Sequence, residues 1–329
     1  MVPLVALKSE PSAPAEAASP PALRRLSFHA LGTGCEVQYV APNGDVQAAA
    51  FERAAVNWVA NFEARYSRFR PTSLVSRINE AAGRSWIEVD EEMDRMLQLC
   101  DALFAMTQGV LDPTALPLIR LWNWKAANPS IPIDSEIESA RQLVGWAKVK
   151  RRPGAIFLPV PGMALDFGGF GKEYAVDLVA QLALEHGITN ALVDFGHDIR
   201  VLGVPPGRPA WHVGLEDPQQ PGRSSASLAL TGSRGVASSG DYLRNFQIAG
   251  KRYGHIIDPR TGRPVANGSL QATIIAGTCL QAGILSTTAF VLGLPQGISF
   301  IRSFLTADGL IVTDRSRAQT PGFYRYVAS

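Results

Sequence analysis

The sequence contains little cysteine and no cysteine motif. The three cysteines, Cys35, Cys100 and Cys279, are far apart and form no CxxC or zinc-type pattern. We therefore expect no metal site built on thiolates and, instead, three small buried apolar residues. Their spacing is compatible with a reducing compartment.

A long hydrophobic run and an excess of charge are also missing. No segment has enough consecutive apolar residues to span a bilayer. The formal net charge of +2 provides no field that would attract nucleic acid or an anionic membrane. The N-terminus has a short apolar start before Lys8 and no basic region, unlike a signal peptide. We expect a cytoplasmic protein with no nucleic-acid partner and no membrane segment, or a periplasmic one if the true start codon lies upstream.

Familiar catalytic and nucleotide-binding motifs do not occur. Gly168, Gly169 and Gly171 do not have the GxGxxG spacing of a Rossmann fingerprint. Lys172 is followed by Glu173, whereas a P-loop requires Ser or Thr at that place. There is no GxSxG nucleophile motif, and the histidines show no metal-binding spacing such as HxxxH. A known nucleotide motif therefore does not explain the glycine-rich segment.

What is present is an ordinary globular composition, with 46% hydrophobic and 18% charged residues. Residues 1–25 are rich in Pro and Ala and are predicted to be a disordered arm. Residues 26–329 show no repeat and no long linker, which predicts one α+β unit with two lobes around a cleft.

The elements predicted from periodicity are a β-hairpin at Leu26–Pro42, helices at Asp45–Ser67, Asp90–Gly109, Asp134–Val144 and Leu280–Leu292, and closing strands at Leu310–Thr313 and Phe323–Val327.

The clearest organisation lies in the segment 163–203. An apolar run that ends at Asp166 precedes a turn through three glycines, and apolar residues then keep helical spacing as far as His186. A second apolar run, Ala191–Phe195, follows. The pattern predicts a strand, a glycine turn, a helix and a second strand. Such a turn lets backbone N–H groups approach an anion such as phosphate, although an ordinary unit of this kind also uses glycine for its backbone angles.

Four features are candidates for chemistry, and each has a structural alternative. Asp166 either anchors a ligand beyond the end of a strand or caps the following helix. His255, just ahead of a turn at 258–262, is a general base or acid, or else a surface or core histidine. Phe69 either stacks on a planar ligand or packs in the core. The hydroxyl-rich segment 238–242 either binds a ligand or forms a turn that caps a strand.

Several motifs occur in the order that is found in one family. They are LGTG (31–34), YSRFRPTSLVSRINEA (66–81), GVLDPTALPLIRLW (109–122), LDFGGFGKEYAVD (165–177), ALVDFGHDIRVLG (191–203), SSGDYLRNF (238–246), HIIDPRTGRPV (255–265) and LSTTAFVLG (285–293). With these motifs the chain resembles the ApbE family, the FAD:protein FMN transferases, formerly described as thiamine-biosynthesis lipoproteins. The similarity runs from about Leu26 to the C-terminus, and HIIDPRTG together with DFGGFGKEYAVD is highly specific.

The resemblance implies an ApbE-like (T-fold-like) unit that binds FAD in its cleft. Such proteins use Mg²⁺ to polarise the FAD pyrophosphate, and transfer FMN to a Thr or Ser hydroxyl of a target flavoprotein with release of AMP. His255 is then the base that activates the acceptor hydroxyl. The residues expected to contact FAD are Leu31, Phe69, Asp112, Pro113, Thr114, Asp166, Lys172 and Ile257. Those expected at the metal are Gly169, through its backbone carbonyl, Ser286 and Thr287.

Two positions depart from the family pattern. The family helix opens with Asp-Ala-Leu-Ala-Thr, whose Asp and Thr hold Mg²⁺, whereas this chain has Gly283 in place of the Asp and keeps Thr287. His197 replaces a glycine of the family's GGD turn, where it could crowd or contact the ligand. Mg²⁺ usually takes at least one carboxylate ligand, so Gly283 leaves open a non-catalytic FAD-binding protein. A second alternative is an FAD pyrophosphatase, in which water replaces the acceptor hydroxyl.

Overall fold

The computed structural model describes residues 21–328. Its centre is an eight-stranded sheet in which every neighbouring pair is antiparallel. The strands are β1 (Ala22–Ala30), β2 (Thr33–Ala41), β3 (Ile87–Glu88), β4 (Lys150–Arg152), β5 (Ala155–Phe157), β6 (Ala191–Phe195), β7 (Asp198–Leu202), β8 (Trp211–Glu216), β9 (Ser224–Leu230), β10 (Arg234–Gly240), β11 (Asn245–Ile248), β12 (Lys251–Gly254), β13 (Ile257–Asp258), β14 (Arg263–Pro264), β15 (Ser269–Ala276), β16 (Asp308–Thr313) and β17 (Arg317–Gln319). The helices are α1 (Val46–Tyr66), α2 (Leu74–Glu80), α3 (Glu91–Met106), α4 (Leu116–Leu121), α5 (Asp134–Gln142), α6 (Gly171–Glu185), α7 (Cys279–Leu292) and α8 (Gln296–Arg302).

The strand order in the large sheet is β1-β2-β6-β7-β10-β15-β16-β17. Small sheets pair β3, β5 and β4, β8 with β9, β11 with β12, and β13 with β14. Helices packed against antiparallel sheets confirm the predicted α+β class. Within residues 21–328, no helix is long and apolar enough to cross a bilayer.

The N-terminal hairpin forms at the edge of the sheet, as predicted. β1 and β2 pair from Ala22↔Ala41 to Ala30↔Thr33. Burial alternates along β1, as expected for a strand with one face against the core. Because β1 begins at Ala22, residues 22–25 of the predicted arm belong to the sheet. Residues 1–20 of that arm lie outside the described part of the chain.

The helices predicted from periodicity all form, and polar side chains cap the start of α1, α3 and α7. The carboxylate of Asp45 accepts the Gln47 N–H at the start of α1, and Asp90 accepts the Met93 N–H at the start of α3. Thr278 caps α7 in the same way. The C-terminal end of α7 lies at Gly293, whose φ of 67° is a conformation that glycine adopts without steric cost.

The prediction of a strand ending at Asp166 is wrong. Residues 163–165 are buried, but no strand pairs with them. The Asn79 amide donates to the Leu165 carbonyl (3.0 Å) and accepts from the Leu165 N–H (2.6 Å), and the Asp166 N–H donates to the Pro113 carbonyl (2.8 Å). Since a side-chain amide and a loop carbonyl satisfy these backbone groups, the run crosses the core as a loop. The following helix and strand, α6 and β6, form as predicted.

The prediction of a strand at Phe323–Val327 is also wrong. The chain forms a 3₁₀ helix at Pro321–Tyr326, and the closing strand is β17, which precedes it. Pro321 is preorganised for the first turn of a helix. Phe323 and Tyr326 both pack on the cluster beneath β8 and β9, and side chains three residues apart share a face in a 3₁₀ helix.

Hydrophobic clusters pack on both faces of the sheet. All residues of β15 are buried, and its alternating side chains face opposite ways, Ile274 towards α7 and Ile275 towards β8 and β9. Helices α1 and α6 cover the half of the sheet that contains β2 and β6, and α3 belongs to the same hydrophobic cluster. A separate small cluster joins α4 and α5 to β11, β12 and β13 through Leu118, Trp122 and Phe246.

A mostly buried carboxylate on α6 fixes the start of α7. Asp177 accepts the N–H groups of Cys279 (2.9 Å) and Leu280 (2.8 Å), and its Oδ1 lies 3.2 Å from Arg200 Nη1. The first N–H groups of a helix have no partner within the helix, so Asp177 supplies partners for two of them. Burial is the largest influence on the Asp177 carboxyl and raises its pKa, which these hydrogen bonds oppose.

We predict that Asp177→Ala lowers the free energy of unfolding by about 3 kcal/mol, because it removes both cap bonds and the carboxylate beside a mostly buried Arg200. Asp45→Ala is the matched control, since Asp45 also caps a helix but has no such partner, and it should cost about 1 kcal/mol. Urea unfolding followed by circular dichroism measures both variants. Equal losses would contradict the anchoring role of Asp177.

Candidate functional site

Three predicted contact regions meet around Asp166. The Asp166 N–H bonds to Pro113, its Oδ1 accepts the Gly168 N–H (3.0 Å), and its Oδ2 lies 3.1 Å from Arg68 Nε. The helix-cap alternative for Asp166 is wrong, because the residue preceding α6 is Phe170. The carboxylate instead closes the glycine turn and holds the Arg68 side chain next to it.

Phe69 is available for stacking. Its side chain is 75% exposed, so the alternative of core packing is wrong. The Arg68 guanidinium lies 4.1 Å from the centre of the Phe69 ring, a cation–π arrangement that presents the other face of the ring to solvent. Asp166 therefore positions Arg68, and Arg68 in turn supports the aromatic face predicted to stack on the flavin nucleotide.

The loop at 112–114 is fastened by its own side chains. Asp112 accepts the N–H groups of Thr114 (2.8 Å) and Trp146 (3.1 Å), and the Thr114 hydroxyl accepts the Gly145 N–H (2.7 Å). Thr114 is fully buried and Pro113 is buried as well. Direct contact of the Thr114 side chain with FAD is therefore not supported, and its observed role is to hold the loop beside Asp166.

Glu63 connects the LGTG bend to the segment that carries Phe69. Glu63 accepts the Leu31 N–H (3.0 Å) through one oxygen and pairs with Arg70 (2.8 Å) through the other. Leu31 has a φ of 54°, an uncommon value for a residue with a branched side chain. The carboxylate thus helps to hold this bend in place next to the Arg70 loop.

Lys172, in the first turn of α6, reaches the turn between β6 and β7. Its ammonium donates to the Phe195 carbonyl (3.0 Å) and forms an ion pair with the buried Asp198. An ammonium has three N–H donors, and two are engaged by the described residues. The Lys172 side chain is 28% exposed, and its third donor has no partner among the described residues.

The hydroxyls of α7 form a cluster with β10. Ser239 lies 2.9 Å from the Ser286 hydroxyl and 2.8 Å from that of Thr287. Ser286 is buried and its hydroxyl donates to the Gly283 carbonyl (3.0 Å), whereas Thr287 is only partly buried. The segment 238–242 is not a free loop, because Ser238, Ser239 and Gly240 belong to β10.

Gly169 and Ile257 differ in exposure to a ligand. Gly169 is exposed in the glycine turn, and a Cβ there would meet only Leu111, at 3.8 Å, so a ligand can approach its backbone. Ile257 is buried in the small cluster with Leu118 and Trp122, where its side chain serves as core. The predicted contact of Ile257 with FAD is untested.

His255 follows β12 and lies beside the end of β10. Gly254 packs so tightly that an added Cβ would lie 2.5 Å from the Asp241 Cβ. The imidazole Nδ1 lies 3.2 Å from the Arg244 carbonyl, and the ring is 5.9 Å from that of Trp124. Burial, followed by the charge of Arg244, lowers the pKa of His255 from 6.5 to about 4. The histidine is therefore neutral at physiological pH.

Several residues of the site were not identified from the sequence. Arg68 and Asp198 lie inside motifs that were recognised, but their partnerships with Asp166 and Lys172 depend on the fold. Glu173 was noted only as the residue that breaks a P-loop pattern, yet its carboxylate lies against Gly283. Two surface pockets lie elsewhere, around Arg77–Ile87 and around Trp58–Glu92, and contain none of the predicted site residues.

The architecture defines an α+β protein in which Lys172 lies in the first turn of α6, Thr287 lies in α7 and His255 follows β12. The model of the ApbE family matches residues 31–311, and the chain belongs to this family.

Named relatives are similar over most of their length. The FAD:protein FMN transferase of Vibrio cholerae is 28% identical over 276 residues, which is 83% of each chain. The protein of the same name from Treponema pallidum is 29% identical over 306 residues, 88% of this chain and 84% of the relative.

Solved structures agree with these relatives. The flavin transferase ApbE from Vibrio cholerae superposes with a TM-score of 0.82 at 26% identity, covering 93% of this chain and all of that one. The ApbE protein from Thermotoga maritima gives the same TM-score and coverage at 31% identity.

The turn between β6 and β7 carries steric strain at His197. Gly196 and His197 form a two-residue turn between the paired Phe195 and Asp198, with φ values of 60° and 70°. Hairpin turns of this kind favour glycine, because both central residues need positive φ. The His197 side chain is 95% exposed, so it contributes no packing that would offset the strain.

We predict that His197→Gly raises the free energy of unfolding by about 1 kcal/mol, since it removes the Cβ from a left-handed conformation. His197→Ala is the control, because it removes the imidazole but keeps the Cβ, and should give no such gain. Thermal unfolding of the three proteins measures the difference. Equal stability of the Gly and Ala variants would contradict the assignment of strain.

Proposed function

We propose that this protein is an FAD:protein FMN transferase, which moves FMN from FAD to a Thr or Ser hydroxyl of a target flavoprotein and releases AMP. The relatives of that name, similar over most of the chain, support the proposal. The observation that carries it is the geometry of His255, whose Nδ1 lies 3.2 Å from the Arg244 carbonyl.

The hydrogen bond of His255 determines which nitrogen can act as a base. A carbonyl oxygen only accepts hydrogen bonds, so Nδ1, which faces the Arg244 carbonyl, carries the proton. Nε2 then has a free lone pair, and the neutral ring can remove the proton from an acceptor hydroxyl as that oxygen attacks the phosphorus of the FMN half. The P–O bond to AMP breaks in the same displacement.

Other candidate residues would hold FAD. The free donor of Lys172 suits a carbonyl or phosphate oxygen, and the exposed ring of Phe69 suits a planar ring system. Asp166 keeps the glycine turn closed, which leaves the Gly169 backbone open to the ligand. Each of these contacts is part of the proposal.

A divalent cation fits the donor atoms near Thr287. Mg²⁺ takes oxygen ligands, usually one or two carboxylates together with substrate phosphates. The hydroxyl of Thr287 and the buried carboxylate of Glu173, one oxygen of which has no hydrogen-bond partner, are donors of this class. When bound, Mg²⁺ would offset the charge of the FAD pyrophosphate. A cytoplasmic location remains part of the proposal, and the three buried free thiols are compatible with it.

We expect the purified protein, given FAD, Mg²⁺ and candidate acceptor flavoproteins, to produce covalently flavinylated acceptor and one AMP per FMN transferred. His255→Ala should slow transfer about 100-fold or more by removing the base, while FAD affinity, measured by fluorescence, stays unchanged. His212→Ala is the matched control, because His212 is exposed on β8.

Three results would count against this function. FMN and AMP released with no labelled acceptor would indicate a pyrophosphatase. FAD binding without turnover across several acceptors would indicate a non-catalytic flavin protein. A full rate in the His255→Ala variant would remove the proposed base.

The pH dependence of transfer follows from the same histidine. Because the neutral ring is the active form and its pKa in the folded protein is about 4, kcat/KM should remain high as the pH falls through 6.5 and decline only towards 4. The unfolded chain takes up this proton near pH 6.5, so stability also decreases with falling pH in that window. Initial rates between pH 4 and 8, with circular dichroism to verify folding, test this. A decline of kcat/KM centred at pH 6.5 would contradict the lowered pKa of His255.

A further inference from the structure

A carboxylate occupies the space in front of Gly283. A Cβ built on Gly283 would lie 2.6 Å from the Glu173 Cγ and 2.9 Å from its Oε1. Glu173 lies in the first turn of α6 and packs directly on α7 at the position where the family pattern has Asp. The chain that lacks this Asp therefore has an acidic side chain from the neighbouring helix at the same place.

The Glu173 carboxylate has no partner that explains its burial. Glu173 is 9% exposed, and its Oε2 is enclosed without a hydrogen bond. Buried carboxylates normally pair with a cation or several donors, because an unpaired buried charge is costly. The group is thus placed where a positive charge is missing.

The nearest lysine does not supply that charge. Lys172 precedes Glu173 in the chain, but its ammonium is held by Asp198 and the Phe195 carbonyl. On the other side, Cys279 is a buried free thiol, and Asp177 is turned to the start of α7. In the part of the chain that is described, no three or more His, Cys, Asp or Glu residues are grouped so that they could hold a metal ion, so a cation here needs neutral oxygens in addition to the Glu173 carboxylate.

Neutral oxygens are present on the same face of α7. Residues three and four positions apart in a helix lie on one face, which places Gly283 in line with Ser286 and Thr287. The hydroxyls of these two residues form one network with Ser239. One carboxylate, a threonine hydroxyl and substrate phosphate oxygens together match the ligands that Mg²⁺ prefers.

We propose that Glu173 replaces the missing carboxylate at Gly283, so that the metal-binding carboxylate has moved from α7 to α6 and acts together with Thr287 on a divalent cation bound with FAD. This inference rests on the proposed function for the identity of the ligand, but it concerns metal binding and not turnover. It also explains why position 283 is glycine, since any side chain there would displace Glu173.

The test uses Mn²⁺ as the probe, with the FAD-loaded protein and no acceptor. The electron paramagnetic resonance signal of free Mn²⁺ gives the dissociation constant, FAD alone provides the background, and competition with Mg²⁺ establishes the preference of the site. Glu173→Gln keeps the shape of the side chain and removes the charge, and should weaken Mn²⁺ binding at least tenfold. Glu185→Gln, at the exposed end of the same helix, should leave it unchanged.

A double variant provides a second test in case the Glu173→Gln substitution disturbs the fold. Glu173→Gly combined with Gly283→Asp returns the carboxylate to α7 and should restore Mn²⁺ affinity to within about threefold of the natural protein, whereas Glu173→Gly alone should not. Thermal unfolding and FAD fluorescence verify that each variant is folded. Unchanged Mn²⁺ affinity in Glu173→Gln would overturn the proposal, whether or not FMN transfer occurs. Failure of transfer with Mn²⁺ binding that depends on Glu173 would instead reject only the function.

Discussion

The contact between α6 and α7 is the constraint on which the site depends. Asp177 binds the first N–H groups of α7, and four residues earlier in α6 Glu173 meets Gly283, four residues after Cys279. The two helices therefore run in opposite directions, with one turn of each between the two contacts. The Asp177 cap therefore helps to set the register between the two helices, and the positions of Gly283 and Thr287 relative to Lys172 depend on that register.

Much of the fold could be predicted from the sequence because its signals are local. The sequence predicted the β1–β2 hairpin around the bend at 31–34, and helical spacing predicted α1 and α3. Predictions from local patterns were wrong where residues distant in the sequence form hydrogen bonds with the backbone. The run ending at Asp166 looks like a buried strand, but it is held by Asn79, far away in the chain. Periodicity cannot reveal such a partner, since a buried strand and a buried loop have the same apolar composition.

The residues of the candidate site also fall into two groups, those that the sequence identified and those that only the structure reveals. Asp166, Lys172 and His255 were identified because each lies in an ordered motif, and the structure adds how Arg68 and Asp198 hold the first two. Glu173 was not identified. A glutamate after a lysine has no meaning by itself in the sequence, and it becomes significant only when α6 is packed against a glycine of α7. The departure at Gly283 was visible, but its counterpart on another helix was not.

Gly283 and Glu173 have to be understood as a pair. If position 283 carried Asp while Glu173 stayed in place, its Cβ would lie within 3 Å of the Glu173 side chain, and two carboxylates would share one buried volume. Like charges at that distance oppose ionisation of both groups. Restoring Asp alone would therefore not recreate the family's site, and loss of activity in such a variant would not mean that the natural protein is inactive. The absence of a residue from its expected position is evidence of lost function only when no neighbouring side chain occupies the same space.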